Sequence, residues 1–264
     1  MGDLASLVSA TLALYGRAAR DASRGLLRHP WIIGLVPAYT LAIQFVSALA
    51  APLGFAGGFV VFLAIVASAS SFLAVIADVV GSGRVRFREI GASFGGYFGR
   101  LVSVFFLFWI LGLVLSMAVA PNPGLLWLQI AINVGCFVVF NTVPELIYQG
   151  HNDGMTLLQD AAEFTRDNLV EWFVPVALML LPFFLIDTQT GFLVMARLDV
   201  RNALDLMMGA VAGWLPLSGM PQVLVAVLLA STLLAWIMLF RGFLFRSLSG
   251  SNRRQRLFAL RARG

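Results

Sequence analysis

Residues 141–175, NTVPELIYQGHNDGMTLLQDAAEFTRDNLVEWFVP, join two apolar stretches of the chain through a polar segment. The sequence leaves the first apolar stretch at Pro144 and Glu145 and enters the second at Trp172. Within the polar segment, apolar residues recur at roughly helical spacing. The rest of the chain repeats this plan, with polar helices between paired apolar stretches, which is typical of a helical membrane protein.

The composition excludes an ordinary soluble domain. The 264 residues are 60% hydrophobic and 12% charged, with a mean hydropathy of +0.90, whereas soluble domains carry about 25% charged residues. Such a chain needs lipid to cover its apolar surface. The single cysteine, Cys136, lies in an apolar run, so we expect a small buried side chain rather than a disulfide or a metal ligand.

Two windows without formal charge predict two transmembrane hairpins. Between Arg28 and Asp78 lie 49 residues without formal charge, and between Arg100 and Glu145 lie 44. A span needs about 20 apolar residues, so each window holds two spans and a turn. We expect the turns at 52–58 (PLGFAGG) and 121–124 (PNPG).

A third, looser pair of apolar stretches completes the predicted architecture. The sequence thus predicts an all-α polytopic membrane protein with six transmembrane helices and interfacial amphipathic helices. Residues 1–264 are expected to form a single helical membrane domain. The six spans are expected near 31–51, 57–79, 101–120, 125–147, 169–187 and 221–243.

The placement of arginine predicts the orientation. All 18 basic residues are arginine, and with these spans 16 of them lie on one side, leaving only Arg197 and Arg201 on the other. Because basic residues accumulate on the cytoplasmic side, both termini are expected in the cytoplasm. We therefore expect a multi-pass protein of the bacterial cytoplasmic (inner) membrane.

The two ends of the chain are expected to contact anionic lipid. Residues 1–28 predict a cytoplasmic amphipathic helix with one arginine face and a second face of small or apolar residues, and the alternative is a solvated arginine face without lipid preference. Residues 249–264 form a basic cytoplasmic tail, for which lipid is a nearer partner than nucleic acid. The candidate lipid head-group contacts are Arg17, Arg20, Arg24, Arg28, Arg253, Arg254 and Arg256.

The polar segment at 149–171 is acidic where the other cytoplasmic segments are basic, so it is a candidate surface for a protein partner. A faint threefold repeat of surface helix plus hairpin is also visible. An apolar residue, a spacer and an arginine precede each odd-numbered span, at Arg28, Arg100 and Arg166. The bias of arginine towards the cytoplasmic side would by itself produce such a pattern.

Two segments carry a family resemblance, GLLRHPWIIGLVP at 25–37 and EFTRDNLVEWFVP at 163–175. In both, an arginine and a polar or small step precede an apolar run with proline. The layout resembles uncharacterised bacterial six-span membrane proteins, including the membrane domain fused to some glycerophosphodiester phosphodiesterases. The resemblance implies a membrane-embedded helical module and no activity, and the phosphodiesterase domain itself is absent from the sequence.

Polar residues at membrane depth are the remaining candidates for function. In the fourth span, Gln129 and Asn133 share one helical face and Asn141 and Glu145 share another. Asn141 and Glu145 are candidates to bind a cation or a polar head group at an inner mouth. The alternative is interhelical hydrogen bonding by the amides and an interfacial position for Glu145.

No catalytic, cofactor-binding or metal-binding constellation is visible in the sequence. We therefore expect a non-enzymatic integral membrane protein without a cofactor, an accessory or scaffold subunit that holds a partner through cytoplasmic surface helices. The alternative is a transporter or permease-like subunit for a small-molecule or lipid substrate. Oligomeric state is left open by the sequence.

Overall fold

The computed structural model describes residues 2–83, 85, 90–119, 123–150, 152–186, 209 and 218–250, and these residues contain helices and no strand. Short 3-10 turns occur at Ala51–Leu53 and Pro123–Leu125. The α-helices are α1 (Gly2–Arg28), α2 (Ile32–Ala50), α3 (Phe55–Gly81), α4 (Ile90–Ser93), α5 (Phe98–Val119), α6 (Leu126–Phe140), α7 (Val143–Gln149), α8 (Gly154–Ile186) and α9 (Met220–Ser249).

Five helical segments are long and apolar enough to cross a membrane, which indicates a multi-pass membrane protein. They coincide with five of the six predicted spans. The remaining span, the fifth in chain order, is predicted at 169–187 and falls on the second half of α8, which is helical to Ile186. This span stays a prediction. The five segments are Ile32–Leu53, Phe55–Gly81, Phe98–Val119, Trp127–Gln149 and Met220–Ser249.

The first predicted turn, at 52–58, has the chemistry that a tight connection needs. Gly54 adopts a positive φ of 56°, a conformation that glycine reaches without steric cost. At Gly57 a Cβ atom would lie 2.0 Å from the carbonyl oxygen of Ala50, so only glycine fits where α3 starts against the end of α2. The second predicted turn, at 121–124, lies partly outside the described residues.

Helices α3 and α9 form the centre of the bundle. Helix α3 packs against α2, α5, α7 and α9, and α9 also contacts α1, α2 and α8. Helix α5 lies at the edge, where Phe106, Trp109 and Met117 are exposed. Because these side chains belong to a predicted span, we expect them to face lipid acyl chains.

Helix α1 packs along the second half of α9, which is the most extensive helix pair of the described chain. The side of α1 that lies away from its arginines is buried, and it includes Leu14, Ala18, Ala22 and Leu26. Gly25 permits the close approach of α1 to the end of α3, since a Cβ there would lie 2.9 Å from Cγ1 of Val79. The apolar face of α1 is therefore used within the protein.

The middle of α1 reaches α8. The Tyr15 hydroxyl donates a hydrogen bond to the backbone carbonyl of Glu171 at 2.8 Å. Burial, and then the nearby Glu171 carboxylate, raise the pKa of Tyr15 to about 12. Helices α1 and α8 thus meet beside the end of α9.

The segment around α4 folds back along α3. The Ser70 hydroxyl accepts a hydrogen bond from the backbone N–H of Tyr97 at 3.0 Å, and the Ser71 hydroxyl contacts those of Ser93 at 2.8 Å and Tyr39 at 2.7 Å. Ser71 lies ten residues before the end of α3, which is about 15 Å along the helix. Non-helical backbone inside a membrane needs hydrogen-bond partners from the protein. Ser70 is such a partner for the backbone of Tyr97 and Ser93.

Candidate functional site

The candidate site lies where a helix breaks. Helix α6 ends at Phe140, two residues in a turn follow, and α7 starts at Val143 with Pro144 in its first turn. Proline has no N–H to donate and its ring clashes with the preceding turn, so Pro144 is a direct cause of the break. The break places Asn141 and Glu145 beside α8 and α9.

Glu145 is fully buried and paired with an arginine from α9. Its two carboxylate oxygens accept hydrogen bonds from Nε and Nη2 of Arg241 at 2.8 and 2.9 Å. This is the two-pronged geometry in which a planar guanidinium fits a carboxylate best. The charge of Glu145 is therefore neutralised within the same chain, 96 residues away in sequence.

Arg241 also joins the helix break to α8. Its Nη2 donates to the backbone carbonyl of Asn141, and its guanidinium lies 5.2 Å from the ring centre of Trp172. The Trp172 indole N–H in turn donates to Oδ1 of Asn141 at 3.0 Å. We name Asn141, Glu145, Trp172 and Arg241 the clamp, because it fixes α7, α8 and α9 to one another.

Backbone carbonyls near the helix break are satisfied by side chains from other helices. The last carbonyls of a helix have no partner within that helix. The Thr165 hydroxyl of α8 donates to the carbonyl of Val139 at 3.2 Å, and the Arg241 guanidinium of α9 donates to the carbonyl of Asn141. These bonds make the break compatible with a buried position, where an unsatisfied carbonyl would be costly.

Two further arginines cap helix ends at the same end of the bundle. Arg100 donates to the carbonyls of Ile147 at 2.8 Å and Gly150 at 3.2 Å, at the end of α7. Arg246 donates to the carbonyl of Val80, at the end of α3. Cations are favourable at helix C-termini because the carbonyl ends carry partial negative charge. These arginines hold the bundle together besides contributing to the charge asymmetry of the sequence.

The other predicted site residues lie apart from the clamp. Gln129 and Asn133 are half-buried on α6, and Asn133 is eight residues before Asn141, about 12 Å along the chain axis. The predicted head-group residues of α1 are exposed, on the face opposite its contact with α9. The tail arginines, Arg253, Arg254 and Arg256, lie outside the described residues.

Sequence reasoning named Asn141 and Glu145 but missed their partners. In the sequence, Arg241 is one of the arginines on the predicted cytoplasmic side, and Trp172 marks the start of a predicted span. A charge inside an apolar run, as in 238–243 (MLFRGF), is the signal that was present. Charged residues at such positions pair with one another, and Glu145 is the counter-charge.

The serine patch on α3 also has a role that its sequence only partly indicated. In the sequence, the small residues Ser68, Ser70 and Ser71 favour close helix packing. Ser68 bonds its own helix, donating to the carbonyl of Ala64 at 2.8 Å. Ser70 and Ser71 instead hold the segment around α4, so hydrogen bonding to that segment is the larger part of what the patch does.

The fold and site define a class, an all-α multi-pass membrane protein with a buried ion pair at one end of its bundle. No family model, curated protein or solved structure matches the chain. Among the residues that the structure describes, no three histidine, cysteine or acidic side chains are grouped closely enough to hold a metal ion.

Proposed function

We propose that this protein is a non-enzymatic accessory or scaffold subunit that holds a partner on a layer of helices beside the membrane. The layer consists of α1 and the first half of α8, together with the ends of two predicted spans, α7 and the end of α9, where these spans leave the membrane. The clamp carries the proposal, because both Glu145 oxygens are bonded to Arg241. A saturated pair of this kind supports a role in fixing helices rather than in exchanging a substrate or a proton.

The proposed topology has six spans, with the second half of α8 as the fifth and both termini in the cytoplasm of a bacterial cell. The split of 16 arginines to 2 supports this orientation. The gathering of Arg100, Arg241 and Arg246 at one end of the bundle is consistent with it. The arginines of the tail are proposed to contact anionic lipid.

The proposed partner surface is the outward face of the first half of α8. Glu163 and Asp167 are exposed there, and Asp160 is half-buried. The opposite face, with Leu157, Leu158 and Ala161, is buried in the core. Because the apolar face is used internally and the acidic face is not, the acidic face is available to a basic partner.

Site-specific crosslinking in native membranes tests the proposal. A photo-crosslinking residue in place of Glu163 should link to another protein chain. The same residue in place of Leu49, which is 64% exposed on a predicted span, should link only to lipid. Absence of any protein product from position 163 would rule out the partner surface.

The alternative, a transporter or permease-like subunit for a small-molecule or lipid substrate, requires the Glu145 carboxylate to leave Arg241. Under that alternative, Glu145→Gln and Asn141→Ala would abolish transport in membrane vesicles at unchanged protein level. The scaffold proposal expects both variants to alter stability instead, since the two residues belong to the clamp.

A further inference from the structure

Two helix faces in this chain carry opposite charges at the same spacing. On α1, Arg17, Arg20, Arg24 and Arg28 follow one another at steps of three, four and four residues. On α8, Asp160, Glu163 and Asp167 follow at steps of three and four. Such steps place each set along one side of its helix. We name them the basic stripe and the acidic stripe.

The basic stripe faces away from the protein. All four arginines are exposed, whereas the opposite face of α1 is packed on α9. Asp21 lies on the same side of the helix, so the stripe has a net charge of +3. Because the apolar face of α1 is occupied, the helix cannot insert that face into lipid as a free amphipathic helix does.

The acidic stripe is only partly neutralised within its own chain. Arg166 lies 3.7 Å from Glu163 and 3.2 Å from Asp167, and the Asn152 amide donates to Asp160 at 2.6 Å. Three carboxylates and one arginine leave a net charge of −2. A carboxylate offers about four acceptor positions, so each of these side chains can accept further donors.

We propose that the basic stripe of one copy binds the acidic stripe of a second copy, in a two-fold symmetric dimer. This inference rests on the proposed function, for which it names the partner of α8. Anionic lipid would account for the basic stripe alone, whereas a second copy accounts for both stripes and for their common spacing. In a membrane the two copies share one orientation, which raises their effective concentration.

The positions of the two stripes allow a reciprocal contact. In a two-fold dimer the same pair of surfaces meets twice, so both stripes must be reachable from one side of the protomer. The hydrogen bond from Tyr15 to the carbonyl of Glu171 joins α1 to α8 at one point, and α9 packs against both helices. The two stripes therefore belong to neighbouring parts of the protomer, and the proposed dimer pairs the arginines of each copy with the acids of the other.

Charge reversal in differently tagged copies tests the dimer. Variant A carries Arg20→Glu and Arg24→Glu, and variant B carries Glu163→Arg and Asp167→Arg. We expect A with A, and B with B, to co-purify from mild detergent at least tenfold less than wild type. A with B should recover to near the wild-type level, because α1 of A then meets α8 of B with both charges reversed, and α1 of B meets α8 of A with wild-type charges. The charge-conserving control, Arg20→Lys with Arg24→Lys, should associate as wild type does.

The possible results separate the dimer from its competitors. Self-association of A and of B at the wild-type level, or no recovery in the mixture of A and B, overturns the dimer. If anionic lipid binds the basic stripe in place of a second copy, variant A should bind vesicles containing anionic lipid more weakly than wild type does, and variant B should bind them equally well. That result would also overturn the dimer. Should the variants fold poorly, wild-type self-association must still weaken as salt rises from 50 to 500 mM, and salt independence contradicts the proposal. A product from the photo-crosslinker at Glu163 that contains a different protein would refute the dimer and leave the scaffold function standing.

Discussion

Replacing Arg241 by methionine should destabilise the protein strongly, because it leaves a buried carboxylate without a counter-charge. Arg241 makes two hydrogen bonds to a Glu145 side chain that is 0% exposed. It also donates to the carbonyl of Asn141 and lies over the ring of Trp172. Removing one partner of a buried ion pair costs about 3–5 kcal/mol. We expect a loss in that range for Arg241→Met.

The double variant distinguishes a specific pair from general damage. Replacing both charges, with Glu145→Leu and Arg241→Met, removes the uncompensated carboxylate. Exchange of a buried pair for apolar residues is often neutral, although here the carbonyl of Asn141 also loses its donor, which costs about 1–3 kcal/mol. Because Arg241→Met by itself already removes the donor to Asn141, the double variant should be more stable than that single variant by about 2 kcal/mol, the difference between a loss of about 3–5 and one of about 1–3 kcal/mol.

Equilibrium unfolding in mixed micelles provides the measurement, with the sodium dodecyl sulfate fraction raised stepwise and tryptophan fluorescence as the signal. Trp172 lies within the clamp, so its environment changes when the clamp opens. A loss below about 1 kcal/mol for Arg241→Met, within the range of an exposed pair, would refute the reasoning. So would a double variant whose loss equals or exceeds the sum of the two single losses.

Three further changes test the packing and ionisation described above. Gly242→Ala should destabilise the protein by about 1–3 kcal/mol, because the new Cβ would lie 2.5 Å from the Tyr148 hydroxyl. The control is Gly58→Ala, which has open space around it and should not destabilise the protein in the same unfolding assay. Ser71→Ala should cost about 1–2 kcal/mol, because it removes the hydrogen bonds between the Ser71 hydroxyl and the half-buried side chains of Tyr39 and Ser93. A midpoint unchanged from wild type would contradict its hydrogen-bonding role. The Tyr15 hydroxyl should titrate near pH 12 when followed by ultraviolet absorbance. Because its pKa is raised in the folded protein, its contribution to stability is present below about pH 10 and is lost as pH rises towards 12. A Tyr15 titration near pH 10 would argue against its burial.

The spans and their turns were predictable because they depend on local composition. A window of 49 residues without charge can hold only two spans and a turn, and the structure places α2 and α3 there. The tight turn at Gly54 and Gly57 was visible for the same reason. Glycine and proline act on the backbone where they stand, so their effect can be read from neighbouring residues.

The clamp was not predictable because its members come from three distant parts of the sequence. Glu145 and Arg241 are 96 residues apart, and each has an ordinary explanation when considered alone. A carboxylate near a span end is typical of an interface, and an arginine there is typical of the positive-inside bias. Only the packing of α7 against α9 shows that one charge requires the other.

The packing of α1 shows a similar limit. The spacing of Leu14, Ala18, Ala22 and Leu26 predicted an apolar face, and that face is buried. The pattern did not indicate what covers it, since a membrane interface and a neighbouring helix demand the same residues. The structure provides α9 as the covering element.

The central claim is that α1, the first half of α8 and the end of α9 form one layer on a single side of the membrane. Cysteine accessibility in intact cells and inverted vesicles tests it most directly, in a Cys136→Ala background with single cysteines introduced at Leu12, Asp167 and Leu53. We predict that positions 12 and 167 react with a membrane-impermeant reagent only from the cytoplasmic side, and position 53 only from the opposite side. Labelling of positions 12 and 167 from opposite sides would contradict the layer, and with it the partner surface and the dimer.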